Sequence, residues 1–158
     1  MRSLAIDLGD RRTGLALGDD VTRIASPAGL LEIPLDRRDG QDLLDAIATK
    51  AHQELGPRDQ LVLGLPINMD SSEGPRAKLV RAFAQRLADR AGRAVVLVDE
   101  RKTSQAADDR MARSGLTHGQ KKARRDAIAA AEILRALLES PEAELGRVEP
   151  GHPDEPRP

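Results

Sequence analysis

Three short apolar runs, at residues 3–8, 60–65 and 94–98, alternate with segments whose apolar residues recur at helical spacing. A strand, a helix and a second strand in that order demand a crossover between parallel neighbours. The run Gln60-Leu-Val-Leu-Gly-Leu65 is continuous, as in a parallel strand covered on both faces, and Pro66 stops it. Between the first run and the first helix lie two more strand candidates. Gly9-Asp10-Arg11-Arg12 reads as a turn that returns the chain through residues 13–18, and residues 26–33 close a meander.

The helical segments carry clear stripes. Residues 40–55 place Leu43, Leu44, Ile47, Ala51 and Leu55 on one side. A second helix runs from Pro75, a favoured first-turn residue, to Ala91, with Val80, Phe83, Ala84 and Leu87 inward. Thr103 caps a predicted helix ending near Gly115, and a last helix covers about 120–139, with Ile133, Leu134, Leu137 and Leu138 in its apolar face. The order is βββαβαβαα, an α/β chain in one domain over residues 1–139. Residues 140–158 hold five Pro and no core pattern, which predicts a disordered acidic tail.

Composition narrows the function. Only one Phe and no Trp or Tyr occur among 158 residues, so base stacking on aromatic platforms is a poor model. The absence of Cys excludes thiolate zinc sites and disulfides. No apolar run reaches membrane-spanning length, and Met1-Arg2 leads straight into a strand, so the expectation is a cytoplasmic protein without a signal peptide. The net charge of −1 is not that of a strong non-specific nucleic-acid binder, although Lys121, Lys122, Arg124 and Arg125 form a basic cluster.

Parallel strands 1, 4 and 5 would share one C-terminal edge, where open α/β sheets place their sites. Asp7 and Glu100 end two of the apolar runs at that edge, beside the loop Pro66-Ile67-Asn68-Met69-Asp70. Asp126, in Arg125-Asp126-Ala-Ile-Ala-Ala, continues the buried stripe of the last helix rather than its solvent face. A carboxylate beside a core is costly without a cation. Three of them converging suggest a divalent-metal site, and Mg²⁺ or Mn²⁺ suit hard oxygen donors better than zinc. Arg12 in Asp7-Leu-Gly9-Asp-Arg-Arg12-Thr-Gly14, Asn68, and Arg101 after Asp99-Glu100 are candidates for substrate phosphate, with the 121–125 cluster. The plainer alternatives are a hairpin with a solvated Asp, a Pro-terminated strand, a surface turn, and a first-turn carboxylate complementing a helix dipole.

Taken in order, these four segments resemble the YqgF family, named as pre-16S rRNA nucleases and Holliday junction resolvase-like proteins. The likeness covers about residues 2–139 and departs at Lys102, where an apolar residue is usual. It implies an RNase H-like fold: a five-stranded mixed sheet with helices on both faces. It also implies catalytic and metal-ligating roles for Asp7, Glu100 and Asp126, with two ions bridged by Asp7 and no side-chain base required. The implied partners are structured RNA, branched DNA or a pre-ribosomal particle. Two rivals stand beside it: a phosphotransferase of the actin and sugar-kinase type, which shares the hairpin, and a non-catalytic RNA-binding module.

Overall fold

The computed structural model describes residues 1–102 and 118–151, with the side chains of 102 and 118–123 outside that description. Six strands form one mixed sheet: β1 (Arg2–Asp7), β2 (Thr13–Asp19), β3 (Ala25–Leu31), β4 (Gln60–Leu65), β5 (Val95–Asp99) and β6 (Glu144–Val148). Their spatial order is β3-β2-β1-β4-β5-β6. β1, β4 and β5 run parallel, with Ile6 opposite Leu63 and Leu65 opposite Asp99. β2 runs antiparallel to both of its neighbours, β1 and β3, and the outer strand β6 runs antiparallel to β5. The parallel core and the β1–β2–β3 meander are as the sequence predicts.

Period-2 alternation divides the sheet into two unequal faces. Leu4, Ile6, Leu15, Leu61, Leu63, Leu65, Val95 and Leu97 point to the face covered by α1 (Gln41–Glu54) and α2 (Pro75–Ala91). α1 buries Leu43, Leu44, Ile47 and Ala51 there, and α2 buries Val80, Phe83, Ala84 and Leu87. Pro75 occupies the first turn of α2, and Gly92 ends it in the left-handed region at φ 66°. On the other face the sheet offers small residues: Ala5, Gly14, Ala16, Gly18, Val62 and Gly64. Among the described residues, α3 (His118–Glu139) is the helix that lies on them, through Ala130, Ala131, Ile133 and Leu134.

Three expectations change. The sheet has six strands, not five, and the segment read as a disordered tail from residue 140 contributes the sixth. Pro141–Ala143 form a short turn of 3-10 helix, after which Val148 pairs with Val95 and Gly146 with Leu97. Leu145 and Val148, three residues apart with a register shift at Leu145, both pack against the larger core, so two apolar residues suffice where the neighbouring strand supplies the hydrogen bonds. The last helix begins at His118, so Asp126 lies eight residues inside it and does not complement a helix dipole in the first turn. The helix expected from Thr103 to Gly115 and the end of the tail, residues 152–158, lie outside the described residues.

Candidate active site

The C-terminal edge of the parallel strands is built around Asp7. It is the last residue of β1, on the same side as Ala5 and therefore on the α3 face. Its neighbour across the antiparallel pair is Gly14. A Cβ on Gly14 would overlap the Asp126 carbonyl oxygen and stand 2.8 Å from the Ala127 nitrogen. The helix thus rests directly on the β2 backbone, which sets Asp126 beside Asp7. On the β4 side the equivalent position is Gly64. A Cβ there would overlap Glu100 Oε1 and stand 2.6 Å from Ile133 Cδ1. Two glycines flanking Asp7 on adjacent strands leave the room that the other two carboxylates fill.

The electrostatics follow from that crowding. Burial pushes the Asp7 carboxyl up from its ordinary value of 3.8 to about 8, aided by the charges of Glu100 and Asp126 and by its hydrogen bond with Glu100. Burial also raises Glu100, while its hydrogen bond with Asp7 and the Arg76 guanidinium pull it down. Asp7 and Glu100 therefore share a proton more readily than they share two negative charges. Asp126 faces a cation instead: Arg12 Nε lies 3.6 Å from its Oδ2, both side chains being about a third exposed. Among the described residues no group of three or more His, Cys, Asp or Glu side chains is arranged so that it could hold a metal ion as it stands. The donor chemistry nevertheless fits a hard divalent cation, since desolvated, mutually repelling carboxylates are what such an ion would relieve.

The other predicted residues divide. Arg101 is turned back on Asp99, with Nη2 2.7 Å from Oδ2, and its Nη1 donates to Ser71 Oγ at 3.0 Å. It braces the strand end against the β4–α2 loop. Asn68 lies in that loop, its Nδ2 donating to Ser72 Oγ at 3.1 Å, so its amide is engaged in loop structure. Arg124 and Arg125 are exposed on α3, one turn or less from Asp126. Lys121 and Lys122 are on the same helix, with their side chains outside the described residues.

Two contributors went unread in the sequence. Arg76, in the first turn of α2, donates to the Leu8 carbonyl at 2.9 Å and to Asp10 Oδ1 at 2.5 Å, and its charge acts on both Asp7 and Glu100. It is the cation nearest in effect to the buried pair. Its position directly after Pro75 was the available signal. The second is the glycine pair, Gly14 and Gly64, whose meaning depends on which neighbour occupies the space.

Comparison with known proteins bears on the family and the fold. A family model described as "RuvX: Holliday junction resolvase" matches residues 1–140. A protein of Anaeromyxobacter sp. (strain Fw109-5) named "Putative pre-16S rRNA nuclease" is 43% identical over 139 residues, covering 88% of this chain and 97% of its own. A protein of the same name from Pelotomaculum thermopropionicum is 34% identical and covers 99% of this chain and 100% of its own. Among solved structures, T. thermophilus RuvC in complex with a Holliday junction substrate superposes with a TM-score of 0.53 at 15% identity, over 88% of this chain and 94% of that one. That likeness concerns the fold, which is RNase H-like. With the family model spanning residues 1–140 and relatives above 40% identity across its length, this chain belongs to the RuvX, or YqgF, family.

Proposed function

We propose that this chain is a metal-dependent nuclease that hydrolyses phosphodiester bonds, and that its task is to process the 5′ end of pre-16S rRNA in the cytoplasm. The observation that carries the reading is the juxtaposition of Asp7, Glu100 and Asp126 at the C-terminal sheet edge, where burial and then the charges of the other two push the Asp7 carboxyl up. Asp7, Glu100 and Asp126 would hold Mg²⁺ or Mn²⁺, with two ions as the working count. Bound there, the cation supplies Lewis-acid stabilisation of phosphate charge and makes water more acidic.

The chain's own residues prepare that state. Asp7 and Glu100 release their shared proton and present oxygen ligands. Arg12 exchanges the Asp126 carboxylate for a substrate phosphate, which frees Asp126 to face Asp7. Arg124 and Arg125, with Lys121 and Lys122, draw the phosphate backbone along α3. Arg76 fixes the turn after β1 and balances part of the acidic charge before loading. Arg101 positions Glu100 through its grip on Asp99 rather than by touching substrate. A pre-ribosomal particle is the natural setting for such a substrate.

The second reading is resolution of four-way DNA junctions, which the family's description favours. One experiment tests both. A labelled precursor-rRNA fragment and a synthetic four-way DNA junction are incubated with Mn²⁺, Mg²⁺ or EDTA. Metal-dependent cutting of the RNA alone supports rRNA processing, and paired symmetric cuts in the junction support resolution. Cutting of neither by folded protein removes the nuclease reading.

A further inference from the structure

The loop joining β4 to α2 ends in a side chain that its neighbours do not cover. Met69 is 88% exposed, the most exposed large apolar residue among those described. A single exposed apolar side chain is ordinary on a protein surface. Val21 and Ile24 are also exposed, but they lie on the β2–β3 turn at the opposite end of the sheet. Two features set Met69 apart.

The first is rigidity. Asn68 N donates to the Ser72 carbonyl at 2.9 Å and Ser71 N to the Asn68 carbonyl at 2.9 Å. The Asp70 carboxylate turns inward to accept from Ser72 N at 2.9 Å and Ser72 Oγ at 2.5 Å. Ser71 sits at φ 69°, a left-handed conformation that a serine adopts at a cost. The second is place. Arg101 Nη1 reaches Ser71 Oγ and the Asn68 carbonyl, so the loop is clamped to the residue that follows Glu100. A fixed scaffold therefore presents one unbranched, polarisable side chain on the loop that leaves β4 at the C-terminal edge of the sheet, the edge on which Asp7 and Glu100 lie.

We propose that Met69 is a wedge that enters the nucleic-acid substrate between two stacked bases beside the scissile phosphate. The inference rests on the nuclease reading above. Chemistry selects the partner. A thioether side chain on a rigid loop meets the face of any base without a hydrogen-bond code, and it separates a base step at little ordering cost because the loop is already set. No aromatic ring does so instead, since the single aromatic residue, Phe83, is buried in the core. Unstacking would bend the strand so that the phosphate between the parted bases settles against Asp7 and Glu100.

The test uses the full chain with EDTA, so that binding is read without turnover. The probe is the precursor-rRNA fragment above, carrying 2-aminopurine singly at each step around the cut mapped with Mn²⁺. Anisotropy reports binding and 2-aminopurine brightening reports unstacking. The parent protein should brighten at one step. Met69→Ala should lose that brightening and bind roughly tenfold more weakly. Met69→Leu should keep both, and all three should melt together because the side chain is exposed. If the parent binds and cuts RNA yet brightens no step, or if Met69→Ala brightens it equally, the wedge is wrong while the nuclease reading stands. If the parent neither binds nor cuts, the nuclease reading fails and the wedge fails with it.

Discussion

Asp7 shows what burial and acidic neighbours do to a single side chain. It stands at the end of a buried strand with Glu100 hydrogen-bonded to it and Asp126 nearby. Its carboxyl is costly to ionise there, which is a poor arrangement for stability and a good one for capturing a divalent cation. Replacing it with Asn keeps the shape and removes the charge. We expect Asp7→Asn to abolish metal-dependent cleavage, by at least about a thousandfold, while the metal-free protein melts at an equal or higher temperature near pH 8. Cleavage retained by a protein with unchanged melting would remove Asp7 from the chemistry. The convergence of Asp7, Glu100 and Asp126 was legible in the sequence because each breaks an apolar pattern. The behaviour of Arg101 was not, since a basic residue after Asp-Glu reads equally as a substrate contact or as the clamp on Asp99 that it forms.

At the scale of elements, the decisive feature is how near α3 comes to the sheet. The parallel crossovers and both amphipathic helices could be read from periodicity, because that signal lies within each segment. The spacing between α3 and β2 could not, because it depends on Gly14 meeting the backbone of Asp126 and Ala127 across more than a hundred residues of sequence. The two glycines beside Asp7 should respond differently to the same methyl group. At Gly14 the obstacle is main chain, which cannot rotate away, so Gly14→Ala should cost about 3 kcal/mol and lower activity by loss of folded protein. At Gly64 the obstacles are the ends of Glu100 and Ile133, which can move. Gly64→Ala should cost about 1 kcal/mol yet lose most cleavage, because the group displaced is Glu100. Gly146→Ala, with open space around it, is the control. Denaturant melts beside activity per folded molecule separate the cases, and equal behaviour of the two variants would contradict the packing described. β6 failed to register in the sequence for a related reason. Its Leu145 and Val148 are too few to form a pattern alone, and they matter because β5 offers an edge. Ending the chain at Ser140 should lower the melting temperature by about 5–10 °C and promote association through the uncovered β5 edge. A truncated protein as stable and as monomeric as its parent would return residues 141–148 to the status of a tail.

The whole molecule registers the site through its dependence on pH. Asp7 has a folded-state pKa raised from 3.8 to about 8, and Glu100 is raised as well. Between those limits the folded protein therefore holds a proton that the unfolded chain has released. Stability from this source is present at the acid end and is lost as pH rises toward about 8. Asp19, Asp59, Asp70 and Glu73 act with the opposite sign, because their folded-state values are lowered. Their contribution is present above the ordinary carboxylate range and disappears only as pH falls below it. The two effects thus occupy different windows, and the interval from about pH 5 to about pH 8 belongs to the buried pair. In EDTA the melting temperature should fall across that interval, and the fall should shrink in Asp7→Asn. With excess Mg²⁺ or Mn²⁺ the slope should reverse, since the cation competes with the proton for the same oxygens and binds more tightly as pH rises. A metal-free melting temperature that is level or rising from about pH 5 to about pH 8, with no difference between parent and Asp7→Asn, would mean that the carboxylates are not forced together. A metal response that is indifferent to pH would mean that the cation binds somewhere other than Asp7 and Glu100.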